Sequence, residues 1–434
     1  MTRNNPIPLD VAVIGGGPAG ISACLEFSKS EGLQIALFER DSQVGGMPRF
    51  CHIFFGMRDL KRIMTGPKYA KRLNALLRKT STEIYTDSTV IEICPGGADK
   101  RHGITVVSPE GILSYSCRAI LLTTGCFEIS RGTRMIPGTR PDGIFTTGTL
   151  QDLINMRGQR PGSRAVIVGS EHISLSSVLT LKKGGICIAG MVEQDQKLQT
   201  FSSAAGAMGL FYGFPIYRGL SVQSILGDSR VEGVELSGRN MKNPLRIKCD
   251  AIILTGKFRP CSQLIDFTAI ITDPAASGPL IDMNFMTSVP NIFAAGNILR
   301  GADMHDICAL EGKEAAKNII RRVKQSEHQE EKGFYLKAVP PIRYVVPQKV
   351  IPYLITAPLI SRFVPGCSIQ LEHTLDSVVI EARSARELIW RKSYRRLIAN
   401  HRIPIPLWEF DLHRVDFKAG VKIRLLNDSS ISDK

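Results

Sequence analysis

The sequence predicts an α/β protein with two Rossmann-like units, the second inserted in the first, and a small β-rich C-terminal domain. Three observations carry this. A strand-like run joins a helical run through a glycine-rich turn at Asp10 to Ala23, the same arrangement recurs at Arg164 to Ser174, and the chain beyond about residue 331 favours β-branched residues. Strands alternating with helices imply parallel sheets with helices on both faces. The 434 residues, 43% hydrophobic and 22% charged, suit a folded chain of two or three domains. They exclude a disordered, collagen-like or disulfide-stapled chain.

The first turn has a specific physical logic. Gly15, Gly17 and Gly20 stand at GxGxxG spacing after four apolar residues. Gly15 turns the chain out of the strand, Gly17 admits a pyrophosphate to the backbone N–H groups, and Gly20 lets helix and strand pack closely. Pro18 and Ala19 open the helix, whose unpaired N–H donors and dipole face the phosphates. The next strand, Gln34 to Phe38, ends at Glu39, with Arg40 following, and 39 − 15 = 24 positions separate that carboxylate from the first glycine. A carboxylate there accepts hydrogen bonds from ribose hydroxyls.

The second turn keeps the architecture and loses the glycines. GxGxxG would need glycine at 169, 171 and 174, and the chain has Gly169, Glu171 and Ser174. The following strand ends at Glu193, and 193 − 169 = 24 repeats the first interval. Glu171 puts a side chain and a negative charge where phosphates would approach; at ~4 Å each like-charge pair costs about 1–4 kcal/mol. Two readings stay open: NAD(P) binding is impaired, or the nucleotide takes a shifted pose with the glutamate turned away. NAD(P) is doubtful as a cofactor, and Glu193 favours NADH over NADPH if either binds.

Two later strands point to the first unit's ligand. Ala119 to Gly125 ends in Thr124-Gly125, and Pro290 to Asn297 ends in Gly296-Asn297 before a helical run over about 307–323. This pair resembles the secondary signatures of the FAD-dependent pyridine nucleotide-disulfide oxidoreductase superfamily, where the second usually carries Gly-Asp. An amide at 297 still bonds a ribityl hydroxyl or a phosphate. The resemblance implies FAD, held by Gly15, Gly17, Pro18, Ala19, Gly20, Glu39, Arg40, Gly46, Met47, Val90, Thr124, Gly125, Gly296 and Asn297. The segments Gly45 to Leu73, Gly132 to Leu153 and Phe293 to Ala316 resemble one branch of it, the flavoprotein subunits of cyanide synthase, opine oxidase and amino-acid dehydrogenase complexes. That resemblance covers roughly residues 8–325 and implies work beside a second flavoprotein or electron-carrier subunit.

The segment after Gly45-Gly46 should hold chemistry. Superfamily disulfide reductases carry two cysteines there; this chain has only Cys51, and no CxxC anywhere, so a dithiol relay is not expected. Cys51 is a reactive thiol or a small buried residue. His52 is a base or substrate contact, or structural. Arg49 and Arg58 hold an anionic group or the FAD phosphates, or face solvent. By resemblance, the loop Gly301 to Asp306 lies near the flavin, making His305 and Asp306 candidates beside a structural alternative. Residues 60–77 read as largely helical, interrupted at Gly66-Pro67.

The expected plan is an FAD-binding domain from 1–140 and 280–330, an NAD(P)-binding-like domain over 141–279, and a β-rich domain over 331–434, with a polar linker at Lys324 to Lys332. The expected function is oxidation of an amine, amino-acid or hydroxy-acid type small molecule, with electrons passing to a partner or oxygen. The alternatives are NAD(P)H-dependent reduction of an acceptor, and a flavin-bearing scaffold subunit. Ten scattered cysteines, no metal-ligand spacing and no leader fit a cytoplasmic, metal-free protein. The net charge of +15 comes without a nucleic-acid docking motif, so nucleic acid is not an expected partner. The clusters at Arg321-Arg322, Arg391-Lys392 and Arg395-Arg396 suggest a basic face for an acidic partner or an anionic membrane surface; no run is apolar enough to span a bilayer.

Overall fold

Apolar runs buried on both faces, Ile35–Phe38, Ile292–Ala294 and the ends of two longer strands, form the centre of a first sheet in which five strands run parallel. The order is Glu83–Tyr85, Ile35–Phe38, Ile7–Ile14, Gly111–Leu122 and Ile292–Ala294. The computed structural model describes residues 5–51, 53–96, 100–200, 202–239, 241–324, 332–355 and 366–427. Strand Gly111–Leu122 also pairs antiparallel with His102–Ser108, which pairs with Thr89–Cys94. Helices Pro18–Phe27 and His305–Lys324 cross closely, because a Cβ at Gly312 would lie 2.0 Å from the Ala19 carbonyl oxygen.

The second sheet is parallel throughout, in the order Ile144–Thr146, Ala251–Leu254, Arg164–Val168, Cys187–Glu193, Ile216–Arg218. The period of two divides its side chains between two cores. Ala165, Ile167, Ala251 and Ile253 pack with Leu150, Val178 and Leu181 of the helices Thr147–Asn155 and His172–Lys183. Val166, Ile252 and Leu254 pack instead with Ile225, Val234, Leu236 and Ile247. Those belong to an antiparallel meander, Leu220–Leu226, Gly233–Gly238 and Leu245–Lys248, so here helices do not cover both faces. The meander supplies a ready apolar face, and a sheet needs only that. The two crossings between the units pair with each other as a ribbon, Cys126–Glu128 against Phe258–Pro260.

The tail forms a five-stranded sheet, ordered Lys349–Val350, Phe334–Ala338, Val421–Asn427, Leu375–Ser384, Glu387–Leu397, and a three-stranded one of Ile342–Val346, Cys367–Leu371 and Ile403–Ile405. Its core includes Phe334, Ile380, Trp390 and Ile423, and takes in Met283 from the preceding part of the chain. The helix read over 60–77 begins only at Gly66 and runs to Leu77. Proline lacks an N–H donor and suits a first turn, so Pro67 starts this helix rather than interrupting it. Most of the expected 324–332 linker lies outside the described residues.

Candidate functional site

The carboxyl ends of the first sheet's parallel strands bring the predicted glycines together. Gly15 adopts φ +108°, and a Cβ there would meet the Thr123 carbonyl oxygen at 2.4 Å. A Cβ at Gly20 would lie 2.0 Å from the Gly15 oxygen, so both positions are closed to any side chain by the fold itself. Gly17 differs: a Cβ there meets nothing within 4 Å. Packing does not demand glycine at 17, and the space beside it is open. Helix Pro18–Phe27 starts there with Gly17 as its cap, Pro18 in the first turn, no acidic residue and no side-chain capping bond. Its free N–H donors have the chemistry a pyrophosphate needs.

Glu39 is buried, with Oε2 accepting from Gly16 N at 2.7 Å and Oε1 from Asp41 N at 2.9 Å. Two further acceptor sites of the carboxylate are left for ribose hydroxyls. Gly46 approaches this turn, its Cβ position lying 3.1 Å from Gly17 Cα, and Met47 follows, partly exposed. Arg49 is held by the Gly46 oxygen and by Asp41. Arg40 extends into solvent, its Nε 3.8 Å from Asp41. Val90 is half-buried opposite Val106. Thr124 donates to the Cys261 oxygen at 2.8 Å, and Gly125 adopts φ +75°.

Gly296 closes the ring: its Cβ position lies 3.0 Å from Ala19 Cβ, and its N–H donates to Glu311 Oε2 at 3.1 Å. Asn297 Oδ1 accepts from Asp303 N at 2.9 Å and from the Cys308 thiol at 3.0 Å. Behind this turn lies a buried charge cluster that sequence reasoning missed. Arg300 contacts Asp303 at 2.8 Å and Glu311 at 2.5 Å, and Arg402 from the tail contacts the same two at 3.0 and 3.2 Å. Burial alone would raise the Asp303 carboxyl, but Arg300 and Arg402 outweigh it and hold the pKa at about 2. Glu311 could have been noticed as a buried acid one residue before a helix-crossing glycine. Arg402 gives no local signal.

The segment after Gly46 is packed rather than free. Cys51 is buried, its Sγ 3.6 Å from Ser176 Oγ and 3.8 Å from Gln151 Nε2, both of the second unit. Burial pushes its thiol pKa up, which disfavours the thiolate a nucleophile needs. His52 lies outside the described residues. His305 Nε2 accepts from Gly56 N at 2.9 Å, and its ring packs 4.1 Å from Phe55 and 5.1 Å from Tyr69. Burial lowers its pKa, and an accepting Nε2 requires the neutral ring. Asp306, fully buried, pairs with Arg58 at 2.9 Å. Arg58, His305 and Asp306 thus come together and fasten the 55–58 loop to the start of helix His305–Lys324.

The second unit's turn carries its own anion. Glu171 Oε2 accepts from Thr255 Oγ1 at 2.9 Å and from Ser174 Oγ at 3.2 Å. A Cβ at Gly256 would lie 2.1 Å from Glu171 Oε1, and one at Gly169 2.6 Å from Oε2. The carboxylate therefore fills the bend between these glycines where helix His172–Lys183 begins. Burial raises its pKa, and the Glu193 charge adds to this. Glu193 is buried too, accepting from Ser170 Oγ and from Asp195 N. The tail packs over this edge: Lys197 pairs with Asp376 at 2.5 Å, and Asn400 Nδ2 donates to Gln199 Oε1 at 2.5 Å. Part of the tail's basic face is internally paired, since buried Glu381 binds Arg383, Arg391 and Arg424.

Comparison with known proteins shows what the chain is similar to as a whole. The sequence pattern of the pyridine nucleotide-disulphide oxidoreductase family matches residues 9–328. The small chain of NADPH-type glutamate synthase from Escherichia coli strain K12 is 24% identical over 350 residues, covering 71% of this chain and 68% of that one. Hydrogen cyanide synthase subunit HcnB from Pseudomonas protegens is 26% identical over 193 residues, covering 43% of this chain and 38% of its own length. Among solved structures, thioredoxin reductase from T. acidophilum superposes with a TM-score of 0.61 at 18% identity, covering 73% of this chain and 98% of that one. Among the described residues, no helix is long and apolar enough to cross a membrane.

Proposed function

The chain belongs to the pyridine nucleotide-disulphide oxidoreductase family and is an FAD-dependent oxidoreductase; from that premise we propose that it oxidises a small amine, amino acid or hydroxy acid and passes the electrons to a partner subunit or to oxygen rather than to NAD. The single observation behind this reading is the Glu171 carboxylate seated in the second unit's turn, held by Thr255 and Ser174. A pyrophosphate would have to displace or neutralise it.

The first unit's residues fit FAD. The open space at Gly17, the uncapped helix start and the spare acceptor sites of Glu39 match pyrophosphate and ribose. When bound, FAD supplies the hydride acceptor. The chain's own residues do the rest. The Gly296–Asn297 turn would help hold the cofactor, and the His305–Gly56 and Asp306–Arg58 contacts fix the 55–58 loop against the start of helix His305–Lys324. Cys51 and Gln151 close the seam between the units with buried, hydrogen-bonding side chains.

A second reading, reduction of an acceptor by NAD(P)H, draws on Glu193, which keeps the ribose-binding position in the second unit. One experiment separates the two. The yellow protein is titrated without oxygen, with NADH in one series and a panel of amino acids, opines and hydroxy acids in the other. The first reading expects bleaching by a member of the panel and negligible bleaching by NADH. Rapid bleaching by NADH alone replaces it with the second.

A further inference from the structure

Residues 399–402 leave the tail's sheets and run along the first and second units. Asn400 donates to Gln199, and the His401 ring lies 4.5 Å from that of His172, so these two residues face the second unit. Arg402, the next residue, faces the first. Its Nη1 lies 3.0 Å from Asp303 Oδ2 and 3.2 Å from Glu311 Oε1. Arg300, with a side chain only 1% exposed, meets the same two oxygens. Two guanidiniums therefore face two carboxylates, and the cluster is neutral.

The two acidic residues have a second task. Glu311 uses its other oxygen, Oε2, to hold Gly296 N, and the Asp303 N–H holds Asn297 Oδ1. These are the two residues of the turn that the first unit presents to FAD. We propose that Arg402 is a positioning residue for FAD, acting through Asp303 and Glu311 on the Gly296–Asn297 turn, so that the C-terminal β-domain is part of the cofactor site. The inference rests on FAD binding and is independent of the substrate's identity.

The physical argument is charge balance. Without Arg402, two buried carboxylates share one guanidinium, and removing one partner from a buried ion cluster is strongly destabilising. The excess negative charge sits directly behind a turn that must receive a cofactor carrying two phosphates. Relief comes by proton uptake or by movement of Asp303 or Glu311, and either alters the bonds that fix the turn.

The test uses the full chain in four variants: R402M, R402K, N400A and the neutral double D303N/R402M. The readouts are FAD affinity, from titration of the apoprotein with FAD, the midpoint potential of the bound flavin, and thermal unfolding of the apoprotein. R402M is expected to weaken FAD binding about tenfold or more and to move the potential to more negative values. R402K stays within about threefold of the parent, because the charge remains. N400A, which removes the side-chain bond to Gln199 of the second unit, leaves FAD affinity unchanged, and the double recovers most of the loss. Parental FAD affinity and potential in R402M overturn the proposal, as does a loss in N400A as large as in R402M. If R402M does not fold, the double replaces it: near-parental FAD affinity supports charge balance, and a loss of about tenfold overturns it.

Discussion

Replacing Glu171 with glycine perturbs the second unit at the point on which the functional reading rests. The carboxylate lies 2.9 Å from Thr255 Oγ1 and 3.2 Å from Ser174 Oγ, in the bend that opens helix His172–Lys183. A pyrophosphate at that helix start would bring two phosphate charges close to it. At ~4 Å each pair costs about 1 kcal/mol in water-like surroundings and about 4 kcal/mol at an effective dielectric of about 20. Taking the water-like end for both phosphates gives about 2 kcal/mol, so Glu171→Gly should tighten NADH binding about 30-fold. The sign of the pH dependence follows from burial, which raises the Glu171 pKa. As pH rises the proton leaves and repulsion grows, so the parent's NADH affinity falls with pH while the variant's stays level. Anaerobic NADH titrations repeated across a series of pH values measure both effects. Equal affinity in parent and variant across the whole series would refute the reasoning.

Two glycines of the first turn should separate fold from cofactor. Gly20→Ala places a methyl 2.0 Å from the Gly15 oxygen and should lower apoprotein stability by about 1–3 kcal/mol in thermal unfolding. Gly17→Val adds its side chain in open space, so the apoprotein melts as the parent does while FAD uptake is lost; parental FAD affinity would contradict the pyrophosphate seat. Arg58→Met leaves fully buried Asp306 without its guanidinium and should cost about 3–5 kcal/mol, with faster hydrogen exchange over residues 55–58. His401 has its pKa lowered to about 4 by burial and by nearby His172, against an ordinary 6.5. The unfolded chain therefore binds this proton first, and the stability gained from neutral His401 is lost as pH falls from about 6.5 towards 4. His401→Gln should flatten that part of a thermal-stability profile against pH, and an unchanged slope would count against it.

The glycine turn of the first unit was legible because its spacing is local. Gly15, Gly17, Gly20 and Glu39 lie within one βαβ span, so their spacing can be read without knowledge of distant contacts. The defect at Glu171 was legible for the same reason, since GxGxxG spacing predicts where a side chain should be missing. Candidate chemistry beyond the turns was less legible. Cys51, read as a reactive or buried thiol, packs against Ser176, 125 positions away, and His305 against Gly56, 249 positions away. Such partners follow from how the two units dock, which no local pattern encodes. The start of helix Gly66–Leu77 was misread because proline breaks a helix interior but favours its first turn.

By itself the sequence determined the α/β class, the two dinucleotide-type units, the intact glycine spacing of the first turn and its loss in the second. Local spacing controls backbone turns, helix starts and strand alternation, so these features survive without knowledge of contacts. Only the tertiary structure decided that the tail reaches both units through residues 400–402, and that Arg402 lies 3.0 Å from an aspartate 99 positions earlier. A buried charge cluster is neutral or ruinous according to which side chains meet in it. That meeting is fixed by how the tail packs against the rest of the chain, which no local preference decides.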